Sequence, residues 1–227
     1  MLRRGRRARS AAEGMCVGTA EDRGTLDGVA LLAAPAAPGR CPWAVGEDYV
    51  AYHDTEWGRP VHGETALFER LSLEAFQSGL SWLTILRKRE GFRRAFAGFD
   101  ADVVAAYGPA DVERLLGDAA IVRNRAKIEA VVANAAAVVR LRDRGGLDAL
   151  VWGHVPAVPS PPPVTLADVP AVTPESRALA AALRRAGLRF VGPTTAYAAM
   201  QACGLVDDHL VGCPARGAVT PDRTREG

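Results

Sequence analysis

Lysine is nearly missing from this chain of 227 residues: Lys88 and Lys127 are its only two, and arginine supplies the rest of the 28 basic residues. The net charge is only +2. A planar guanidinium can donate two hydrogen bonds at once to a phosphate, so the bias suits a phosphate-rich partner. An arginine-favouring codon composition would produce the same bias, so charge alone does not establish nucleic-acid binding. Aromatic residues are scarce, at 6%. With few rings and many Ala, Leu and Val, the chain favours helices over a sandwich or barrel. No unbroken apolar run approaches the roughly 18 residues of a transmembrane helix, which argues against a membrane span. Cysteine is limited to Cys16, Cys41, Cys203 and Cys213, too few for a dense secreted disulfide framework at this length. Two of the four lie near histidines, so metal binding competes with disulfide pairing, and a reducing cytoplasm is the expected location.

What remains is an ordinary globular balance, 48% apolar and 24% charged. The length suffices for one large domain or two small lobes that share a core. The first 39 residues read differently from the rest. RRGRRAR at 3–9 is followed by a Gly-, Ala- and acid-rich stretch with little periodicity. VALLAAPAAPG at 29–39 is apolar enough to suggest a signal peptide. Glu21, Asp22 and Asp27 separate it from the arginines, however, whereas a secretory signal couples the two closely. Residues 1–39 are therefore expected to be a flexible tail with some affinity for DNA, and Met15 offers an alternative start. Residues 218–227 are expected to be a second flexible tail.

Between the tails, at 40–217, the pattern is helical. Leu67, Leu71, Ala75, Ser78 and Trp82 recur every four residues and predict a helical stripe over 64–87, with Gly79 as a point of bending or interruption. Asp111 to Asp118 predicts a short helix. A long amphipathic helix follows from Asn124 to about Arg142, with Ile128, Val131, Val132, Ala135 and Val138 on one face. PAVPSPPPV at 156–164 cannot remain helical. Thr173, Pro174 and Glu175 together make a strong helix start, and Gly187 a natural stop.

Four residues then suggest a metal clip built from the two ends of the domain. They are Cys41 and His53, and the His209–Cys213 pair of DDHLVGC. The i, i+4 spacing of the second pair places both side chains on one side if that turn is helical. Two thiolates and two imidazoles form a closed tetrahedral set suited to structural Zn²⁺, with no position left to activate water. Closing so long a loop costs roughly 4–5 kcal/mol of chain entropy, which a folded site would offset.

Several segments, taken together and in order, resemble the type I 3-methyladenine DNA glycosylases. They are RCPW at 40–43, YVAYHDTEWG at 49–58, LEAFQSGLSWLTILRKRE at 73–90, VERLLGDAAIVRNRAKIEAVVANA at 112–135 and FVGPTTAYAAMQACGLVDDHLVGC at 190–213. The resemblance implies an all-α fold of the helix–hairpin–helix superfamily, with zinc joining the chain ends through Cys41, His53, His209 and Cys213. It also implies a DNA glycosylase that removes 3-methyladenine from alkylated double-stranded DNA and leaves an abasic site. No obligate protein partner is implied, and a monomer is the default.

An enzyme acting on one base must lift it from the stack into a pocket. The resemblance assigns base reading to Glu74, base stacking to Trp82, and pocket lining or hydrogen bonding to Tyr49 and Tyr52. From pattern alone Glu74 would as readily turn to solvent, and the three rings would as readily pack in the core. Trp43, Trp57 and Phe76 are expected to pack or form pocket walls. The segment GDAAIVRNRAK at 117–127 takes the place of the DNA-binding hairpin, where backbone N–H groups at a helix start can hold phosphate. Arg123, Arg125 and Lys127 supply nearby charge. Ala120 stands where the family commonly has glycine, which would matter if that position required a positive φ. Lys127 also raises the alternative of Schiff-base lyase chemistry, against which the resemblance argues. The competing readings are a catalytically silent zinc-stabilised DNA-binding protein of the same fold, and a purely structural helical protein with a metal clip.

Overall fold

Side-chain caps at Ser81, Asp100, Asn124 and Thr173 start four of the helices, and glycines stand at the starts of the others. The computed structural model, which describes residues 39–217, contains nine α-helices and three short 3₁₀ turns, with no strand among the described residues. The order is α1 (Glu47–Thr55), α2 (Glu64–Gln77), α3 (Trp82–Ala95), α4 (Ala101–Ala105), α5 (Pro109–Gly117), α6 (Arg125–Leu141), α7 (Gly146–Trp152), α8 (Pro174–Arg185) and α9 (Pro193–Ala202). The all-helical expectation is met. Residues 1–38 and 218–227, which include the basic run, the apolar piece before Gly39 and Met15, lie outside the described residues.

The stripe over 64–87 is two helices. Ser78 leaves helical geometry at ψ 114°, Gly79 has φ +81°, and Ser81 restarts the helix by accepting the Thr84 N–H at 3.3 Å. Gly79 thus interrupts the helix outright, and Trp82 begins a new one. Asn124 caps α6 by accepting the Lys127 N–H at 3.1 Å. Of the stripe expected on this helix, Ile128, Val131, Ala135 and Val138 are buried, while Val132 is half-buried. Thr173 and Ser176 cap α8 reciprocally, at 3.1 and 2.9 Å, satisfying two N–H groups that the helix itself cannot. Gly187, at φ +102°, follows this helix as expected, and residues 156–165 form no helix.

The core is led by phenylalanines. Phe68, Phe76, Phe92, Phe96 and Phe99 are all buried, with ring centroids 4.6 Å apart for Phe76–Phe92 and 5.8 Å for Phe68–Phe99. Each such ring contributes about 1.5–3 kcal/mol on burial. The buried face of α6 packs on α2, α4 and α5, and α9 packs on α2 and α8. Helix α2, which carries Glu74, therefore lies against both the central helix and the C-terminal part of the chain.

Candidate active site and metal centre

Cys41, His53, His209 and Cys213 converge, and their ligand atoms all lie within 4.8 Å of one another. His53 Nε2 and His209 Nδ1 are 3.2 Å apart, and Cys213 Sγ lies 3.4 Å from the former and 3.6 Å from the latter. Cys41 Sγ is 3.8 Å from His209 Nδ1. A tetrahedron with zinc–nitrogen bonds of about 2.0 Å and zinc–sulfur bonds of about 2.3 Å has edges of roughly 3.3–3.8 Å, so the set fits that ion. The remote histidine nitrogens are occupied. His53 Nδ1 lies 2.7 Å from Asp54 Oδ1, and His209 Nε2 lies 3.2 Å from the Trp57 carbonyl. Arg40 holds Asp54 through two hydrogen bonds of 2.9 and 2.8 Å and, with His53, draws its pKa down. Such outer partners fix the tautomers and aim the free nitrogens inward. Burial pushes the Cys41 thiol up to about 11, so a thiolate at this position calls for a compensating cation.

His209 and Cys213 do not share a helix. They meet across a turn closed by Cys213 N–H donating to the Leu210 carbonyl at 2.9 Å, so the i, i+4 spacing works here without helical geometry. Two glycines allow the approach of the ends. At Gly58 (φ +78°) a Cβ would stand 3.0 Å from His209 Nε2, and at Gly204 (φ +75°) one would stand 2.7 Å from the Gly58 carbonyl.

Beside this cluster, α1, α2 and α3 bring the four expected pocket residues together. Tyr52 is buried on α1 with its ring 5.4 Å from Trp82, the first residue of α3. Tyr49, one turn earlier, accepts the Leu83 N–H at 3.1 Å and so ties α1 to the start of α3. Trp43 borders both tyrosines, at 5.9 and 6.5 Å. Glu74, in the last turn of α2, is 5% exposed, and burial, with the Glu74 charge adding to it, raises the Tyr52 hydroxyl pKa. Glu74 does not turn to solvent. Burial pushes its own carboxyl up to about 8, opposed by the Arg70 charge one turn away. The Trp82 indole N–H is buried without a partner among the described residues. Phe76 belongs to the core, whereas Trp57 packs edge-on against His209 at 4.6 Å.

The hairpin spans 118–124 between α5 and α6. The Asp118 carboxylate accepts the Ala120 N–H at 2.8 Å, and Ala120 is not among the residues with positive φ, so alanine is unstrained there. Arg123 is exposed. Arg125 is exposed but ion-paired with Glu113 at 2.8 Å and Glu129 at 3.8 Å. Lys127 corrects the sequence-based expectation. It is only 8% exposed, and its ammonium donates to the carbonyls of Phe76 at 2.9 Å and Ser78 at 2.6 Å, because the C-terminal end of α2 offers carbonyls without helical partners. It presents no charge to a phosphate in this arrangement.

Residues 43–216 match the methyladenine glycosylase family. The chain belongs to that family. It is 48% identical over 181 residues to DNA-3-methyladenine glycosylase 1 of Escherichia coli (strain K12), covering 77% of this chain and 95% of that relative. A crystal structure of 3-methyladenine DNA glycosylase I is 44% identical and superposes with a TM-score of 0.75, covering 78% of this chain and 99% of the other. A tyrosine-to-phenylalanine variant of 3-methyladenine DNA glycosylase I, in complex with 3-methyladenine, is 33% identical with a TM-score of 0.73, over 77% and 95% of the two chains.

The structure adds residues that sequence reasoning missed. Glu56 accepts from Arg70 at 2.9 Å and Arg89 at 2.6 Å, forming a half-buried charge group behind Glu74. Arg70 and Glu74 are one helical turn apart, a pairing visible in sequence. Glu56 comes from beyond the end of α1 and Arg89 from α3, and no local pattern points to them. Asp54 and Arg40, which orient His53, were likewise unmarked.

Proposed function

We propose that this chain is a monofunctional DNA glycosylase that hydrolyses the N-glycosidic bond of 3-methyladenine in alkylated double-stranded DNA, releasing the free base and leaving an abasic site in base-excision repair. The observation that carries this reading is Glu74, a buried carboxyl without a hydrogen-bonding partner among the described residues that acts electrostatically on Tyr52, whose ring packs on Trp82, in a chain of this family. N3-methylation makes adenine in DNA cationic. An aromatic face attracts a cation, and a carboxylate stabilises it and accepts from the exocyclic amine, where guanine presents an oxygen instead. Arrival of that cation offsets the desolvation that otherwise favours the neutral acid at Glu74.

The damaged base is already a good leaving group, so the protein's task is to orient the nucleotide, stabilise the sugar cation and admit water. Glu74 reads and orients the base, Trp82 stacks on it, and Tyr49 and Tyr52 line the pocket. Arg123 and the N–H groups of the 118–124 hairpin grip phosphate in helix–hairpin–helix fashion, and Arg125 joins them by exchanging surface ion pairs worth at most about 1 kcal/mol. Lyase action does not fit: an amine nucleophile needs a free lone pair, whereas Lys127 Nζ is buried and donating to two carbonyls. Zinc held by Cys41, His53, His209 and Cys213 supplies a structural tie, since four protein ligands leave no site for water. We further assign the enzyme to the cytoplasm as a monomer, with residues 40–217 as its catalytic domain between two tails.

The test is release of free base from methylated duplex DNA by the wild type and by Glu74→Gln. The wild type is expected to release 3-methyladenine, and the variant about 10²–10³-fold less. Equal release by both would remove Glu74 from its role. No release by a folded, metal-loaded wild type would favour a silent DNA-binding protein.

A further inference from the structure

In a chain that uses arginine almost everywhere, both lysines occur at one joint. Lys127, at the start of α6, reaches across to the Phe76 and Ser78 carbonyls at the end of α2. Lys88, on α3, reaches in the opposite direction and donates to the Ala119 carbonyl in the hairpin at 2.7 Å. Between them the hairpin lies hard against α3: a Cβ on Gly91 would stand 2.5 Å from the Ala120 carbonyl. The hairpin is thus braced from both sides onto the helix that ends just after Glu74 and the helix that begins at Trp82.

We propose that Lys127 and Lys88 are positioning residues that set the register between the phosphate grip and the base pocket. The inference rests on the glycosylase reading given above. A nucleotide has fixed covalent dimensions, so a phosphate held at 118–124 and a base held at Glu74 and Trp82 must be a set distance apart. The joint between hairpin and helices fixes that distance, and an error of about 1 Å in such a placement can cost about 10²-fold in rate. Side-chain shape explains the choice of lysine at position 127. One compact ammonium can point donors at two carbonyls that flank it, whereas a planar guanidinium fork cannot enter the same slot with both bonds kept. Neither lysine touches substrate in this role.

The experiment uses the full chain with Lys127→Met, Lys88→Met and, as a phosphate-contact control, Arg123→Ala. Single-turnover base release is measured well below each variant's Tm, alongside the salt dependence of binding to abasic duplex. Lys127→Met should release base about 10–100-fold more slowly with an unchanged salt slope, whereas Arg123→Ala should lower the slope by about one. Lys88→Met should show a smaller loss of rate, again with an unchanged slope. A drop of about one in the slope of Lys127→Met would place its charge on phosphate and overturn the proposal, as would an unchanged rate. Should Lys127→Met fail to fold, Lys88→Met decides on the same two readouts. Amide hydrogen exchange provides an answer independent of activity. Residues 78–81 and 118–124 should exchange faster together in either lysine variant, and unchanged exchange would sink the joint even if the wild type released no base.

Discussion

Tyr52 and His53 are neighbours on α1, yet they serve two opposite kinds of buried polar site. Around His53 the polar groups are matched: both histidines have an outer partner, and the four inward atoms lie within 4.8 Å of one another, close enough to share one ion. Around Tyr52 matching stops. Glu74 has no hydrogen-bonding partner and the Trp82 N–H is orphaned among the described residues. A buried polar group left without a partner costs about 1–3 kcal/mol, more if charged. In the proposed reading the first site holds the fold, and the second keeps part of its hydrogen-bonding capacity for a ligand. Successive positions on a helix point about 100° apart, which is how one short helix feeds both sites.

The comparison breaks most visibly if the metal is removed. Chelation, or Cys213→Ser, should lower Tm by about 10 °C or more, since a closure worth roughly 4–5 kcal/mol shifts a domain of this size by about 2–4 °C per kcal/mol. Metal analysis should find one ion per chain. A melting curve indifferent to chelator would show that the cluster is no structural tie.

The pocket should behave in the opposite sense. The folded-state carboxyl of Glu74 lies at about 8, above its ordinary range, so its ionisation opposes folding. That deficit is absent below the ordinary carboxylate range and grows as pH rises towards 8. Glu74→Gln should therefore gain stability over the wild type across that interval, by at most about 1 kcal/mol per pH unit, even as it loses base release. Thermal melts from pH 5 to 8 read the difference, and a flat one would remove the unmatched carboxylate from the comparison.

The smallest effect separates the sites most finely. Asp54→Asn weakens the outer hold on His53 without touching the pocket. Metal affinity should fall about 10–100-fold by competition with a chromophoric chelator, while base release in excess metal stays near the wild-type rate. Loss of release at full metal occupancy would mean that the two sites are coupled through α1.

Much of this was legible in the sequence because it depends on local signals. Caps at Asn124 and Thr173, the break at Gly79 and the apolar face of α6 are written within a few residues, and the structure follows them. The four candidate metal ligands are legible as residue types, but the second pair meets across a turn and not along a helix. Lys127 departs from expectation for a related cause. Its place near a basic segment points to phosphate, and nothing in its sequence neighbourhood reveals that its stem turns inward to the Phe76 and Ser78 carbonyls.

Sequence is enough to place the chain as a helical member of its glycosylase family and to show which positions carry a carboxylate, aromatic rings, thiols and imidazoles. Those properties belong to residues and their near neighbours, and they remain encoded before the chain folds. Tertiary structure alone decided which groups find partners. It buried Glu74 without one, matched His53 with Asp54 and Arg40, set Arg70 and Arg89 on Glu56, and turned both lysines into braces. The physical reason is that desolvation and hydrogen bonding depend on everything packed around an atom, and those neighbours come from distant parts of the chain.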